Sequence, residues 1–317
     1  MVAPRIGKGA AAVHVVVSNV RTIAISGASG FIGTALSALL KRAGARVRPL
    51  VRPGKHGLDG IQWDPERGTI DSQALEGVDA IVHLAGDGVA EGRWSAEKKA
   101  RIRESRVLGT GLLARAITGL SLKPGVFVSA SAIGYYGDRG DEELDERSTP
   151  GDDFLAEVCK VWESSADPAR AAGVRVVHPR IGIVLSPEGG ALKKMLPPFK
   201  LGLGGRFGDG KQYMSWIALE DAVRALVHAL DHKELRGPLN LTAPRPVTNA
   251  ELTKSLGAAL HRPTIMPVPG PLARLALGEM ADVALLSGAR VLPRQLLASG
   301  FQFEHPALKP YLERLLA

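Results

Sequence analysis

Three glycines, Gly27, Gly30 and Gly33, are spaced three residues apart directly after the apolar run 22–26. In a phosphate-cradling loop the first glycine permits a sharp turn, the second lets the backbone approach a pyrophosphate, and the third lets a helix pack closely on the strand. The free N–H groups at the helix start would bind the phosphates. The spacing therefore predicts a dinucleotide site, with a structural glycine turn as the alternative. The predicted contacts are Gly27, Ser29, Gly30, Phe31, Ile32 and Gly33.

The strand predicted at 46–51 is followed by a basic residue, Arg52, where NAD-binding folds place an acidic one. A carboxylate there holds the ribose hydroxyls and would repel a ribose 2′-phosphate, whereas a guanidinium binds that phosphate bidentately. We therefore expect NADP(H) rather than NAD(H), with Arg52 as the main contact and Ser29 or Lys55 assisting. A solvated loop arginine is the alternative.

The strand predicted at 61–64 ends in Asp64, another candidate cofactor contact. Its carboxylate would be placed to accept a hydrogen bond from an adenine amino group. A turn-forming aspartate is the alternative, because Pro65 follows directly. Both interpretations stay open.

The run 79–86 predicts a buried strand that ends at the same edge of the sheet. Leu84, Ala85 and Gly86 are predicted cofactor contacts, because the small residues Ala85 and Gly86 let the cofactor pass close to the backbone. His83 lies inside the apolar run, so we expect an interior histidine rather than a ligand or a base.

A long basic helix is predicted after this strand, over 93–113. No aromatic residues are interleaved with the basic ones, so a solvated face is expected rather than a nucleic-acid surface. Arg93 and Trp94 precede the helix, in the loop that lies at the ligand crevice of an open α/β sheet.

The elements that must position these residues alternate between strand and helix patterns. They predict an α/β fold with a doubly wound parallel sheet of the Rossmann type and a smaller C-terminal lobe. Residues 1–20 are expected to be an N-terminal extension, and the dinucleotide-binding domain is expected at 21–185, continued by 219–243. The substrate lobe is expected at 186–218 and 244–317. Its loop-rich part, 186–215, is rich in glycine and basic residues, which suits a mobile lid.

The composition of the 317-residue chain, with 45% apolar and 23% charged residues, is that of an ordinary globular enzyme. No apolar run approaches the ~20 residues that span a bilayer, so no membrane association is expected. The single cysteine, Cys159, excludes an intramolecular disulfide and predicts a cytoplasmic location, and no metal is expected. The net charge of +8 predicts a solvated surface, with attraction to anionic partners as the alternative.

These motifs together resemble an extended short-chain dehydrogenase/reductase. More narrowly, the chain resembles epimerase-family proteins, of the NAD-dependent epimerase/dehydratase type, that carry a C-terminal domain of unknown function. The match covers 20–317 and rests on Gly27-x-x-Gly30-x-x-Gly33, His83-Leu84-Ala85-Gly86, Arg93-Trp94, Ser105-Arg106-Val107, Gly134-Tyr135-Tyr136-Gly137, Trp162-Glu163 and Gly300-Phe301-Gln302-Phe303. Arg106 completes the predicted cofactor-binding residues.

The resemblance implies a catalytic Tyr, a Lys four residues later on the same helix face, and a Ser that polarises the substrate oxygen. No Tyr-x-x-x-Lys occurs in the chain. Aligned on Glu163, the Tyr position falls on Leu155 and the Lys position on Cys159. Lys160 follows one residue later, about 100° around the helix. Ser131 matches the family's serine, with satisfaction of backbone groups as its alternative role.

Tyr136, and with less support Tyr135, follows Ser131 closely enough to serve as the acid instead. A phenol with a pKa near ~10 needs a nearby cation to become a useful base. The candidate cations are Arg93, Lys160 and Arg180. A packing residue whose hydroxyl caps a loop is the alternative for Tyr136, and water is an alternative proton source.

We therefore expect an NADP(H)-binding oxidoreductase or epimerase that acts on a small carbonyl or hydroxyl compound, which the basic lid predicts to be anionic. Because Tyr-x-x-x-Lys is absent, catalysis itself stays open. The alternative is a non-catalytic NADP(H)-binding redox sensor or regulatory protein, and a nucleic-acid-binding derivative is a third, weaker interpretation. The resemblance also makes a homodimer plausible.

Overall fold

The structure, a computed structural model, describes residues 21–54, 60–89 and 92–317. The predicted N-terminal extension 1–20 and the predicted phosphate contact Lys55 lie outside these residues. Within the described ranges, no helix has the length and apolar character needed to cross a membrane. In the same ranges, no group of three or more His, Cys, Asp or Glu side chains could hold a metal ion.

Most of the strands join one large sheet, and the others form short pairs around it. In chain order the strands are β1 (Thr22–Ser26), β2 (Arg46–Val51), β3 (Ile61–Asp64), β4 (Thr69–Ile70), β5 (Ala80–His83), β6 (Val126–Ser129), β7 (Ser131–Ala132), β8 (Glu143–Leu144), β9 (Arg175–Ile181), β10 (Ile183–Ser186), β11 (Tyr213–Met214), β12 (Trp216–Ala218), β13 (Gly237–Leu241), β14 (Val247–Thr248) and β15 (Arg290–Val291).

The helices alternate with the strands in the first part of the chain and dominate its last part. They are α1 (Phe31–Arg42), α2 (Ser72–Leu75), α3 (Ala96–Gly119), α4 (Phe154–Ser164), α5 (Asp167–Ala171), α6 (Gly190–Lys200), α7 (Leu219–Asp231), α8 (Asn249–Leu260), α9 (Gly270–Leu277), α10 (Glu279–Ala281), α11 (Arg294–Ala298) and α12 (Leu308–Leu316). A 3₁₀ turn covers Ile133–Tyr136, and a π-helical turn covers Asp282–Leu286.

The large sheet has the strand order β13-β9-β6-β5-β1-β2-β3-β4, with β7 beside β9. Every pair in it is parallel except β3 with β4. From β1 the chain winds outward through β2 and β3, and it then returns to β5 on the other side of β1 and winds outward to β13. The predicted doubly wound parallel sheet is confirmed, and the winding direction reverses between β1 and β5. The boundaries between the two lobes stay a prediction.

Helices cover both faces of this sheet because the strands are apolar on both sides. Successive strand residues point to opposite faces, so Ile23 packs with α1 and α7 while Ala24 packs with α3 and α5. Leu36 of α1 and Ile117 of α3 are fully buried against the two faces. A sheet held between two helix layers keeps its carboxyl edge open for a ligand.

The C-terminal lobe has its own core, built around Trp216 of β12 and Tyr311 of α12, whose rings stack with centroids 5.7 Å apart. The prediction of a loop-rich segment over 186–215 is wrong for 190–200, where α6 forms. This helix contains Pro197 and Pro198, yet its Leu192, Leu196 and Phe199 share one buried face. Their burial outweighs the two backbone hydrogen bonds that the prolines remove. Whether the segment acts as a lid stays a prediction.

Candidate cofactor and substrate site

The glycine turn between β1 and α1 has the geometry that its spacing predicts. Gly27 has a φ of +70°, and a Cβ on it would lie only 2.9 Å from the Ala85 backbone nitrogen. A Cβ on Gly33 would lie 2.1 Å from the Gly27 carbonyl oxygen. Both positions therefore require glycine, which lets the turn approach the residues after β5 and lets α1 pack onto the turn.

The start of α1 is suited to an anion. Gly30 is the N-cap, no side chain caps the helix, and its first turn contains no acidic residue. The first N–H groups of a helix have no intrahelical partner and carry the positive end of the helix dipole. The backbone N–H groups of Phe31 and Ile32 are therefore available to a phosphate.

Ser26 and His83 join the ends of β1 and β5 at the point where the winding reverses. Ser26 Oγ lies 2.5 Å from His83 Nδ1 and accepts hydrogen bonds from the backbone N–H groups of Leu84 and Ala85 at 3.2 and 3.3 Å. Burial, with a smaller contribution from Arg106, lowers the pKa of His83 to about 3. His83 is thus a neutral interior histidine, as predicted, and the Ser26 hydroxyl fixes the backbone that lines the crevice.

The side chains after β2 and β3 lie at the same edge of the sheet as the glycine turn. Arg52 is 57% exposed, and its Nη1 lies 3.4 Å from Glu66 Oε1, a pair too exposed to bind strongly. Ser29 is also exposed. Asp64 Oδ1 accepts hydrogen bonds from the backbone N–H groups of Glu66 and Arg67 at 3.1 and 3.2 Å. Asp64 therefore forms a turn, and its contact with adenine stays a prediction.

A buried ion pair between Glu163 of α4 and Arg180 of β9 lies beside β7. Arg180 Nε donates to Glu163 Oε1 at 2.8 Å and Nη2 donates to Oε2 at 3.0 Å, with the two side chains 3% and 14% exposed. Ser131 Oγ donates to the same Oε1 at 2.7 Å. Burial alone would lower the pKa of Arg180, but the bonded carboxylate outweighs it and raises that pKa. The Ser131 hydroxyl is therefore bound to Glu163 rather than presented to a substrate.

Tyr136 belongs to the same network and has no exposed surface. Its hydroxyl donates to Asn240 Oδ1 at 2.7 Å and accepts from Arg180 Nη1 at 3.0 Å. Burial outweighs the effect of Arg180 and raises the pKa of Tyr136 to about 12. This arrangement favours the packing interpretation of Tyr136 over the predicted acid–base role.

The helix α4 shows which side chains replace the missing Tyr and Lys. Leu155 lies against Gly134, where a Cβ would be 3.2 Å from Leu155 Cβ, and Cys159 Sγ lies 3.7 Å from the Ala132 carbonyl oxygen. Lys160 instead pairs with Glu157 on the outer face of the helix. Burial, and secondarily Glu163, raises the pKa of the Cys159 thiol to about 12. The face toward β7 thus carries no free ionisable group at either position.

Arg106 of α3 lies next to the residues that follow β5. Its Nη1 donates to the backbone carbonyls of Asp87 and Ile102 at 3.0 and 2.8 Å. Its Cζ lies 4.9 Å from the centre of the Trp162 ring and would be 3.5 Å from a Cβ on Gly86. Burial lowers the pKa of Arg106. The predicted contacts Gly86 and Arg106 therefore lie directly against each other.

The loop before α3 is covered by the C-terminal lobe. Trp94 is buried in a cluster with Met280, and its Nε1 donates to the Val89 carbonyl at 2.8 Å. Arg93 Nη2 donates to the Leu275 carbonyl at 2.9 Å. Of the three cations considered for Tyr136, only Arg180 therefore contacts its hydroxyl; Arg93 binds the lobe and Lys160 faces outward.

The sequence did not lead us to predict two further residues of the network, Asn240 and Glu146. Asn240 Nδ2 donates to the Leu292 carbonyl, and its backbone N–H donates to Glu146 Oε1, each at 3.0 Å. An asparagine inside the apolar strand β13 was the available signal, because a buried polar side chain needs partners.

Two family models match the chain. The NAD dependent epimerase/dehydratase family matches residues 23–241, and a domain of unknown function, DUF1731, matches residues 268–315. An epimerase family protein of Mycobacterium bovis is 46% identical over 89% of this chain and 93% of its own length.

Solved structures share the fold over nearly the whole chain. The crystal structure of human epimerase family protein SDR39U1 (isoform 2) with NADPH has a TM-score of 0.85 at 36% identity, and the match covers 93% of this chain and 99% of that one. UDP-glucose 4-epimerase of Thermus thermophilus in complex with NAD has a TM-score of 0.73 at 18% identity, covering 93% and 97%, which shows the fold alone.

Proposed function

Because this chain belongs to the NAD dependent epimerase/dehydratase family, we propose that it binds NADP(H) and acts as an oxidoreductase or epimerase on a small carbonyl or hydroxyl compound. The observation that carries the proposal is the glycine turn between β1 and α1. There Gly27 and Gly33 leave no room for a Cβ, and no side chain caps the start of α1. A cytoplasmic location and a homodimer stay predictions.

Different residues at this edge of the sheet would bind different parts of the cofactor. The N–H groups at the start of α1 would hold the pyrophosphate, and Arg52 with Ser29 would hold a ribose 2′-phosphate. Leu84, Ala85 and Gly86 would let the nicotinamide half pass along the end of β5. When bound, the nicotinamide ring gives or takes a hydride. The NADPH in the human SDR39U1 structure supports NADP(H) over NAD(H).

Proton exchange with the substrate would use a group other than Tyr136 or Ser131. Tyr135 is half-buried, its hydroxyl has no hydrogen-bond partner among the described residues, and Arg180 Cζ lies 3.4 Å from its ring centre. Cation–π contact fixes the ring and leaves the hydroxyl free. Tyr135 is therefore the phenol that we assign to proton exchange, with water as the alternative donor.

A non-catalytic NADP(H)-binding redox sensor is the second candidate. The observation that favours it is the helix face of α4, where Leu155 and Cys159 stand in place of Tyr and Lys. A sensor of this kind would bind the cofactor tightly and differ in conformation between its oxidised and reduced forms, without turnover.

The experiment that separates the two candidates is an assay of NADPH consumption with a broad panel of carbonyl compounds, together with isotope exchange at the reactive nicotinamide carbon. Consumption or exchange would support an enzyme, and its loss in Tyr135→Phe would assign proton exchange to that phenol. Tight NADPH binding with neither signal would support the sensor. Absence of NADPH binding would contradict both.

A further inference from the structure

Two arginines, the half-buried Arg106 and the buried Arg180, lie near the carboxyl edge of the sheet, and they differ in how their guanidinium groups are paired. Arg180 binds both oxygens of Glu163 through Nε and Nη2. Arg106 uses only Nη1, which donates to two backbone carbonyls. No carboxylate of the described residues lies within 4.0 Å of the Arg106 guanidinium. The nearby Asp87 carboxylate instead pairs with Lys98 Nζ at 2.8 Å.

The nitrogens that Arg106 leaves unused are the same two that Arg180 uses to bind Glu163. Nε and Nη2 form one side of the guanidinium plane, where two parallel N–H groups match the two oxygens of a carboxylate. Neither nitrogen has a hydrogen-bond partner among the described residues, and neither is among the polar side-chain atoms enclosed without one. This side of Arg106 is therefore open to a ligand.

A guanidinium in this position has lost part of its hydration, and a bound anion would replace the lost interactions. Burial lowers the pKa of Arg106, yet an arginine stays charged inside a protein. A charge that has lost hydration without gaining a charged partner lowers the stability of the fold. The Trp162 ring covers the guanidinium on one face but offers no acceptor. A ligand with a negatively charged group would supply the missing partner.

The position of Arg106 indicates which ligand that is. The cofactor phosphates are assigned to the start of α1 and to Arg52, after β1 and β2. Arg106 lies beyond β5, between Gly86 and Trp162 of α4. Trp162 is on the helix that carries Leu155 and Cys159, which stand where the family's reacting Tyr and Lys would be. The unused side of Arg106 thus belongs to the substrate end of the crevice.

We propose that Arg106 binds a carboxylate of the substrate through Nε and Nη2, so that the substrate is a small carboxylic acid with a carbonyl or hydroxyl group. The inference rests on the proposed function, and it assigns to Arg106 a role other than the predicted cofactor contact. Glu163 on Arg180 is the internal example of the same pairing.

The test uses formate, the smallest carboxylate, as the probe. Thermal unfolding of the whole protein is measured in sodium formate and in sodium chloride at equal concentration, for the wild type, Arg106→Met and Arg106→Lys. Arg103→Met is the matched control, because Arg103 is exposed on the same helix. We expect formate to raise the midpoint of the wild type and of Arg103→Met. Most of that shift should be lost in Arg106→Met and reduced in Arg106→Lys, which keeps the charge but not the paired donors.

An equal formate shift in all four proteins would overturn the proposal. A second measurement, NADPH titration, separates substrate from cofactor: Arg106→Met should change NADPH affinity by less than about twofold, whereas a loss of about tenfold, equal to 1.4 kcal/mol, would assign the site to the cofactor and overturn the proposal. If the wild type binds no NADPH but keeps an Arg106-dependent formate shift, the proposed function fails while the carboxylate site stands.

Discussion

Glu163 on α4 binds Arg180 on β9 through both of its carboxylate oxygens, at 2.8 and 3.0 Å. Ser131 and Tyr136 attach to this pair through their hydroxyls, at 2.7 Å to Glu163 and 3.0 Å from Arg180. The hydroxyl groups of Ser131 and Tyr136 thus take part in the network that holds helix α4 against the sheet.

Replacing Glu163 with leucine should destabilise the protein strongly, because it leaves Arg180 charged, buried and unpaired. We expect the free energy of unfolding, measured with urea, to fall by about 3–5 kcal/mol. The double variant Glu163→Leu/Arg180→Met should recover most of this loss, since both charges are then removed. Glu157→Leu is the matched control, because Glu157 is 56% exposed and, in the part of the chain that the structure describes, forms an ion pair only with Lys160 on the same helix. An equal, small effect of both leucine variants would contradict this account.

Tyr136→Phe and Tyr135→Phe should separate stability from turnover. Tyr136→Phe leaves Arg180 Nη1 and Asn240 Oδ1 without their partner and should lower the free energy of unfolding by about 1–3 kcal/mol. Tyr135→Phe removes a hydroxyl that has no partner among the described residues, so stability should change by less than about 0.5 kcal/mol. In a turnover assay with a substrate found in the carbonyl panel, Tyr135→Phe should reduce kcat more than Tyr136→Phe does. Loss of kcat in a fully stable Tyr136→Phe would restore Tyr136 as the acid.

Much of the fold and the geometry of the glycine turn could be predicted because their signals are local. The spacing of Gly27, Gly30 and Gly33 is a property of one turn, and the outward position of Lys160 follows from its angle on one helix. The role of Tyr136 could not be predicted in the same way, because its partner Asn240 is 104 residues away. The same holds for Arg106. It has no carboxylate partner in the described residues because Glu163 pairs with Arg180 and Asp87 pairs with Lys98, and these pairings depend on the three-dimensional fold.

Acidification should destabilise the protein through His83. The pKa of His83 is about 3 in the folded protein, against an ordinary value of 6.5. Below pH 6.5 the unfolded chain binds a proton that the folded one does not, so stability falls as the pH drops from 6.5 toward 3, by up to about 5 kcal/mol. His178, also buried, and His228, with a pKa of about 4, add to the same trend.

The measurement is a set of urea titrations between pH 7 and 4 on the wild type and on His83→Asn. The variant should lose stability less steeply with acid, and NMR of the wild type should show no titration of the His83 ring above about pH 4. His261→Asn, at an exposed residue, should keep the wild-type slope. A His83 ring that titrates near pH 6.5 would refute the prediction.

The thiol of Cys159 should be inert in the folded protein. Burial and Glu163 raise its pKa to about 12, so almost no thiolate exists at pH 8, and the sulfur is enclosed under β7. A chromogenic disulfide reagent should label Cys159, the only cysteine, at the rate of unfolding and not at the rate of a free thiol. Fast labelling of the native protein would show an accessible sulfur and would open a thiol-based redox role.

The central claim is that the chain binds NADP(H) at the glycine turn. Its most direct test is a calorimetric titration of the purified protein with NADPH and with NADH. The wild type should bind NADPH more tightly than NADH, and Arg52→Ala should lower the NADPH affinity about 10- to 100-fold while leaving NADH nearly unchanged. Arg46→Ala, which removes an exposed arginine at the opposite end of β2, should change neither. If neither nucleotide binds the wild type, the glycine turn does not hold a dinucleotide. If the preference for NADPH survives in Arg52→Ala, Arg52 is not the group that recognises the 2′-phosphate.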